Sequence, residues 1–220
     1  SSKNQVALVI GGSRGLGELT AKIIAAGGGQ IVISYLLGDT EAEKIVEEIN
    51  NWGGKAICMR LDINDPKKAI YGLKEKGIVP TQVYYFASPR IASNISRELD
   101  KDLLDLFISY YVEGFSATVE GLKEFFDNSS INIFYPSTVF IDSMPEQFKE
   151  YTSSKELGEV RCSELINKYL NFRILINRLP RMTTDQTVGF INLPTEDSLP
   201  VMINVVKNMH TLRKNIGYAS

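Results

Sequence analysis

Six short apolar runs, each followed by a stretch of helical spacing, constrain this chain more than any other feature. The runs cover Val6–Ile10 (VALVI), 31–35 (IVISY), 56–61, 82–87 (QVYYFA), 130–135 (SINIFY) and Phe172–Leu179 (FRILINRL). A continuous apolar run of this length is what a strand buried on both faces requires. Helices are expected over 16–26, 40–52 (ended by Gly53-Gly54), from Asp65-Pro66, 100–127, 151–170 and 195–209. Strands alternating with helices at this spacing predict an α/β fold, a doubly wound parallel sheet of about six strands with helices on both faces. Neither a repeat nor a linker divides the chain, so a single domain over 1–220 is expected. The 100–127 helix is apolar on more than one stripe, with Leu103, Leu104, Phe107, Tyr110, Tyr111 and Phe115. It is therefore expected to be buried on two sides, one by the sheet and one by a partner subunit.

Composition removes several classes of function. Lys plus Arg is 24 and Asp plus Glu 26, a net charge of −2, so there is no electrostatic footprint for nucleic acid. No apolar run approaches the length of a membrane span, and no signal peptide is recognisable, so a cytoplasmic, membrane-free protein is expected. Two cysteines, Cys58 and Cys162, cannot staple a fold and read as free thiols in a reducing compartment. With His210 as the lone histidine, no metal site is expected. The chain opens Ser1-Ser2 without Met, which fits a tag scar or a domain cut from a longer protein.

Two constellations carry chemistry. The first is Gly11-Gly12-Ser13-Arg14-Gly15-Leu16-Gly17, between the first strand and the first helix. Gly11 permits the tight turn, Gly15 removes a Cβ where the backbone must approach a pyrophosphate, and Gly17 lets the helix pack closely on the sheet. The helix N-terminus then faces phosphate with its amides and the positive end of its dipole. The second is Tyr151-Thr152-Ser153-Ser154-Lys155 at a helix start, with Ser137 at the end of the fifth strand. Tyr151 and Lys155 share one helix face. An ammonium beside a phenol favours the phenolate and lowers its pKa, and such a phenol exchanges a proton with a substrate oxygen. The Ser137 hydroxyl can hydrogen-bond and polarise a substrate carbonyl.

On these residues the chain resembles the short-chain dehydrogenase/reductase family, most closely its β-ketoacyl reductase branch, from Val6 to about Thr184. Ile10 stands where that family usually has Thr. The resemblance implies a Rossmann-type fold and a catalytic set of Ser137, Tyr151 and Lys155. The cofactor site it implies comprises Gly11, Ser13, Arg14, Gly15, Leu16, Gly17, Ser34, Tyr35, Asp62, Ile63, Ala87, Ser88, Tyr151, Lys155, Pro180 and Thr183. Asp62 would accept from the adenine amino group, with a helix cap near Pro66 as its other role, and Ile63 would flank the ring. No acid ends the second strand, whereas Arg14 and Ser34 can meet a 2′-phosphate, so NADP (NADPH) is expected over NAD.

The departures are equally specific. Tyr111 replaces the family's helix-kinking Asn, three residues before Gly114, and is expected to pack, which breaks the usual proton relay. Tyr85-Phe86-Ala87-Ser88 replaces Asn-Asn-Ala-Gly, and Pro180-Arg181 replaces Pro-Gly. The family's seventh strand has no counterpart here, so a homodimer through the long helices, or a monomer or embedded domain, is expected rather than the family's tetramer. The expected activity is NADP-dependent reduction of a ketone or β-ketoacyl thioester, free or carried on CoA or a carrier protein. The alternative is a catalytically weak or inactive cofactor-binding scaffold domain of a larger synthase.

Overall fold

A computed structural model describes residues 5–89, 91, 98–182 and 196–212. The elements run β1 Val6–Ile10, α1 Gly15–Ala26, β2 Gln30–Tyr35, α2 Asp39–Asn51, β3 Lys55–Arg60, α3 Lys67–Glu75 and β4 Gln82–Tyr85. There follow α4 Lys101–Ile108, a π-helical segment Ser109–Gly114, α5 Phe115–Phe125, β5 Ile131–Thr138 and α6 Phe140–Ser143. A 3-10 turn Glu146–Phe148, α7 Lys149–Lys168, β6 Phe172–Leu179 and α8 Ser198–Thr211 complete the order.

The six strands form one sheet in the order β3-β2-β1-β4-β5-β6, every neighbouring pair parallel. Alternation along β1 explains the two cores. Ala7 and Val9 face the layer of α1, α2 and α8, with Ile24, Ile45 and Met202. Leu8 and Ile10 face the other side, with Ile70, Val119, Leu122 and Leu165 from α3, α5 and α7. The chain reverses its winding between β1 and β4, and the crevice at the carboxyl ends of these strands is where such sheets accept ligands.

The 100–127 stretch is not one regular α-helix. Between α4 and α5 it widens into the π segment, and two hydroxyls from the sheet account for the change. Tyr85 Oη on β4 donates to the carbonyl of Tyr110 at 2.6 Å, and Tyr135 Oη on β5 donates to the carbonyl of Tyr111 at 3.1 Å. Carbonyls drawn out of a helix by inserted donors are a recognised origin of such bulges. Gly158 on α7 makes room for this, because a Cβ there would overlap the Tyr135 hydroxyl. Among the described residues no helix is long and apolar enough to cross a membrane.

Candidate active site

A cleft of about 300 Å³ opens at the carboxyl ends of β1, β4 and β5. It gathers most of the residues singled out in the sequence: Gly11, Ser13, Arg14, Gly15, Leu16, Gly17, Ser34, Tyr35, Ile63, Ala87, Ser88, Ser137, Tyr151, Lys155 and Pro180. Asp62 is not among the lining residues. Its Oδ1 accepts from the backbone and side-chain nitrogens of Asn64 at 2.9 and 3.0 Å. The expected helix cap at Asp62 is likewise absent: the N-cap of α3 is Pro66, with no side-chain hydrogen bond. Thr183 lies outside the described residues.

The glycine turn has the shape that the spacing predicts. Gly11 and Gly15 take φ of +73° and +58°, and open space lies where a Gly15 Cβ would be. A Cβ on Gly17 would collide with the Gly11 carbonyl oxygen and approach Gly12 Cα to 2.9 Å. Arg14 is the N-cap of α1, and no side chain caps that helix. Beyond the turn, the Ser34 hydroxyl is 1% exposed and has no hydrogen-bond partner among the described residues. The described lining contains no carboxylate, and its cations are Arg14, Lys155 and Arg181. An unpartnered hydroxyl, an uncapped helix start and a one-signed lining suit a phosphate-bearing ligand such as a dinucleotide.

At the other end of the cleft, α7 presents Tyr151 and Lys155. The Tyr151 ring stands edge-on to Phe107 and Tyr111, each with centroids 5.7 Å away. Its hydroxyl bonds Thr138. The Lys155 ammonium donates to the carbonyl of Pro136 at 2.7 Å and lies 3.7 Å from the centre of the Tyr111 ring. Burial pushes the Tyr151 phenol up to about 12, with the Thr138 bond opposing it, and pulls Lys155 down to about 7. The sequence reading expected the ammonium to lower the phenol. In this geometry Nζ is 5.8 Å from the Tyr151 ring centre and burial dominates.

Ser137 departs from its expected role. Its hydroxyl donates to Glu159 Oε1 at 2.5 Å rather than pointing an unshared proton into the cleft. Arg178 grips the same carboxylate from β6, Nε to Oε1 at 2.9 Å and Nη2 to Oε2 at 2.8 Å, and also pairs with Asp142. Burial opposes ionisation of Glu159, but the bonds from Arg178 and Ser137 outweigh it and hold the carboxyl below its usual value. Sequence reading missed Glu159, Arg178, Tyr85 and Tyr135; a charged residue inside an apolar strand, as Arg178 is, was the available signal. A depressed carboxyl contributes stability above its unfolded pKa and loses it as pH falls through the folded value. Glu159→Gln is therefore expected to narrow its stability deficit to wild type as pH falls below about 4.5, measured by urea unfolding across pH.

Comparison with known proteins agrees with this geometry. Residues 5–75 match the family model for short chain dehydrogenase. The chain is 38% identical over 68 residues to L-rhamnose 1-dehydrogenase (NADP(+)) of Thermoplasma acidophilum, covering 31% of this chain and 27% of that protein. It is 44% identical over 59 residues to a 3-oxoacyl-[acyl-carrier-protein] reductase of Synechocystis sp., covering 27% and 24%. These matched stretches thus span about a quarter of each relative. Likeness in fold extends much further. The structure of FolM alternative dihydrofolate reductase 1 from Brucella suis in complex with NADP superposes with a TM-score of 0.82, covering 98% of this chain and 92% of that one at 19% identity. A Serratia marcescens short-chain dehydrogenase/reductase mutant gives 0.84 over 94% and 91%, at 16% identity. By the sequence of its glycine turn and first strands the chain is similar to short-chain dehydrogenases over residues 5–75, and over nearly its whole length it shares the fold of these solved structures.

Proposed function

We propose that this protein is an NADP-dependent oxidoreductase that reduces a ketone or β-ketoacyl thioester carbonyl to the alcohol. The observation that carries the reading is a single cleft with the glycine turn and the unpartnered Ser34 hydroxyl at one end and Tyr151 with Lys155 at the other. Structural neighbours from Brucella suis and Burkholderia cenocepacia were solved with NADP, and the 3-oxoacyl reductase among the sequence relatives supports the substrate class.

NADPH, when bound, supplies the hydride. Gly15, Leu16 and Gly17 present backbone amides at the start of α1 to its pyrophosphate, and Arg14 and Ser34 hold its 2′-phosphate. Ser13, Tyr35, Ile63, Ala87, Ser88 and Pro180 complete the walls. Asp62 for the adenine and Thr183 for the nicotinamide end belong to the same assignment. Lys155 offers its ammonium to ribose hydroxyls. Tyr151 donates its proton to the substrate oxygen as the alcohol forms. With its phenol pushed up to about 12, Tyr151 keeps that proton at neutral pH, and Lys155 is cationic below about 7. Ser137 would hold the substrate oxygen by donating to it, which requires its proton to turn from Glu159 when substrate is bound.

Titrating the protein with NADPH and NADH by nicotinamide fluorescence tests the cofactor assignment; tighter NADPH binding is expected, and equal affinities would contradict it. Arg14→Ala is expected to weaken NADPH about tenfold or more while leaving NADH nearly unchanged, because a charge-assisted bond to phosphate is lost.

One observation favours a second reading, a cofactor-binding domain with little catalysis: the Ser137 proton is committed to Glu159 and the Tyr151 phenol is raised rather than lowered. Binding of NADPH without its oxidation by any carbonyl compound would select it.

A further inference from the structure

We propose that Tyr111 is a positioning residue: its ring face seats the Lys155 ammonium, while the Tyr111 hydroxyl is turned away to Ser88. The kinetic consequence rests on the reductase reading above, while the seat itself does not.

The hydrogen-bond directions leave the ring face as the contact that Tyr111 offers. Ser88 Oγ donates its single proton to the Pro89 carbonyl at 2.8 Å, so the 2.6 Å contact between Ser88 Oγ and Tyr111 Oη has the phenol as donor. The Tyr111 proton is thereby committed away from Lys155. The Tyr111 carbonyl is occupied as well, by the Tyr135 hydroxyl. Phe107 stacks on Tyr111 at 5.9 Å and 18°, and Tyr151 meets it edge-on at 5.7 Å and 80°. The ring is thus packed between Phe107 and Tyr151 in a residue 2% exposed.

Lys155 needs such a seat. It is 4% exposed, and the hydrogen bond found for its ammonium runs to the Pro136 carbonyl. The Tyr111 centroid at 3.7 Å is the closest of three phenol faces around Nζ, with Tyr135 at 5.2 Å and Tyr151 at 5.8 Å. A desolvated ammonium against a ring quadrupole is the strong case of cation–π attraction. The titratable groups around it are Tyr111 from the π segment, Tyr135 from β5, and Tyr151, Glu159 and Cys162 from α7. Glu159 and Cys162 both favour the charged lysine, and burial outweighs them. Tyr111 therefore acts through Lys155, where the family resemblance places a helix-kinking amide.

The experiment keeps the ring's shape and drains its face. Tyr111→Phe and a series of progressively fluorinated phenylalanines at position 111 are prepared in protein carrying isotopically labelled lysine. The Lys155 side-chain NMR signal, assigned with Lys155→Arg, is followed against pH without cofactor or substrate. The expected result is a titration midpoint near wild type for Tyr111→Phe, falling stepwise with fluorination by about one pH unit in all. A midpoint indifferent to fluorination overturns the proposal, as does a fall already complete in Tyr111→Phe, which would assign the effect to the hydroxyl. In the reductase, the pH profile of kcat/KM shifts in the same order. Absence of turnover would defeat the reductase reading and leave the NMR result to decide the seat.

Discussion

Tyr151→Phe is expected to lower carbonyl reduction by about 10² to 10⁴-fold, the usual contribution of a positioned general acid. NADPH binding is expected to stay nearly unchanged. The substitution removes one oxygen and keeps the ring that stands edge-on to Phe107 and Tyr111 at 5.7 Å, so the packing of α7 on α4 and the π segment survives. What is lost is the hydroxyl bonded to Thr138, the proposed proton source for the forming alcohol. Steady-state kinetics paired with a fluorescence titration of NADPH separates the two effects. A variant that turns over at the wild-type rate removes Tyr151 from the mechanism; one that also fails to bind NADPH assigns it to cofactor binding instead.

Gly17→Ala is expected to damage both stability and cofactor binding. The added methyl would collide with the Gly11 carbonyl oxygen and lie 2.9 Å from Gly12 Cα. Both obstacles are backbone, so no side chain can swing aside, and the start of α1 must retreat from the turn. Overpacking usually costs about 1–3 kcal/mol, and here the upper end is expected. The first-turn amides that would face the pyrophosphate move with the helix. A displacement on the order of 1 Å at a positioned group can cost about a hundredfold, and NADPH affinity is expected to fall by that order. Urea unfolding and NADPH titration of the same sample check both. Wild-type affinity would mean that the turn does not hold the dinucleotide.

The contrast between these two positions shows how far the sequence could be read. Gly17 was legible because its constraint is local: strand, turn and helix lie within one short segment, and the spacing alone states which Cβ must be absent. All six strands were legible for the same reason, each being a short, largely apolar segment read locally. β5 runs on through Ser137 to Thr138, beyond the apolar run that ends at Tyr135. Its pairing with β4 stops at Tyr84 with Phe134, and β6 carries the strand through Pro136 on one side only.

The long helix was not legible. Its apolar stripes fit an unbroken helix, and the donors that open the π segment, Tyr85 and Tyr135, come from strands 25 and 24 residues away. The site shows the same division. Tyr151 and Lys155 are four apart and could be paired by periodicity, whereas the Glu159 that takes the Ser137 proton is 22 residues downstream and reads locally as one more helical charge. Tyr111 was read as packing, and it does pack. Its ring also faces an ammonium, and only the fold, which brings α7 against the π segment, places it there.

Hydride transfer inside this cleft is the proposed chemistry, and isotope transfer measures it most directly. The protein is incubated with NADPH deuterated at C4 and a panel of ketones and β-ketoacyl thioesters, and the alcohols are read by mass spectrometry. The expected result is one deuterium on the carbinol carbon of at least one product, lost in Tyr151→Phe. Saturable NADPH binding with no deuterium in any product would contradict the reductase and leave a dinucleotide-binding domain in its place.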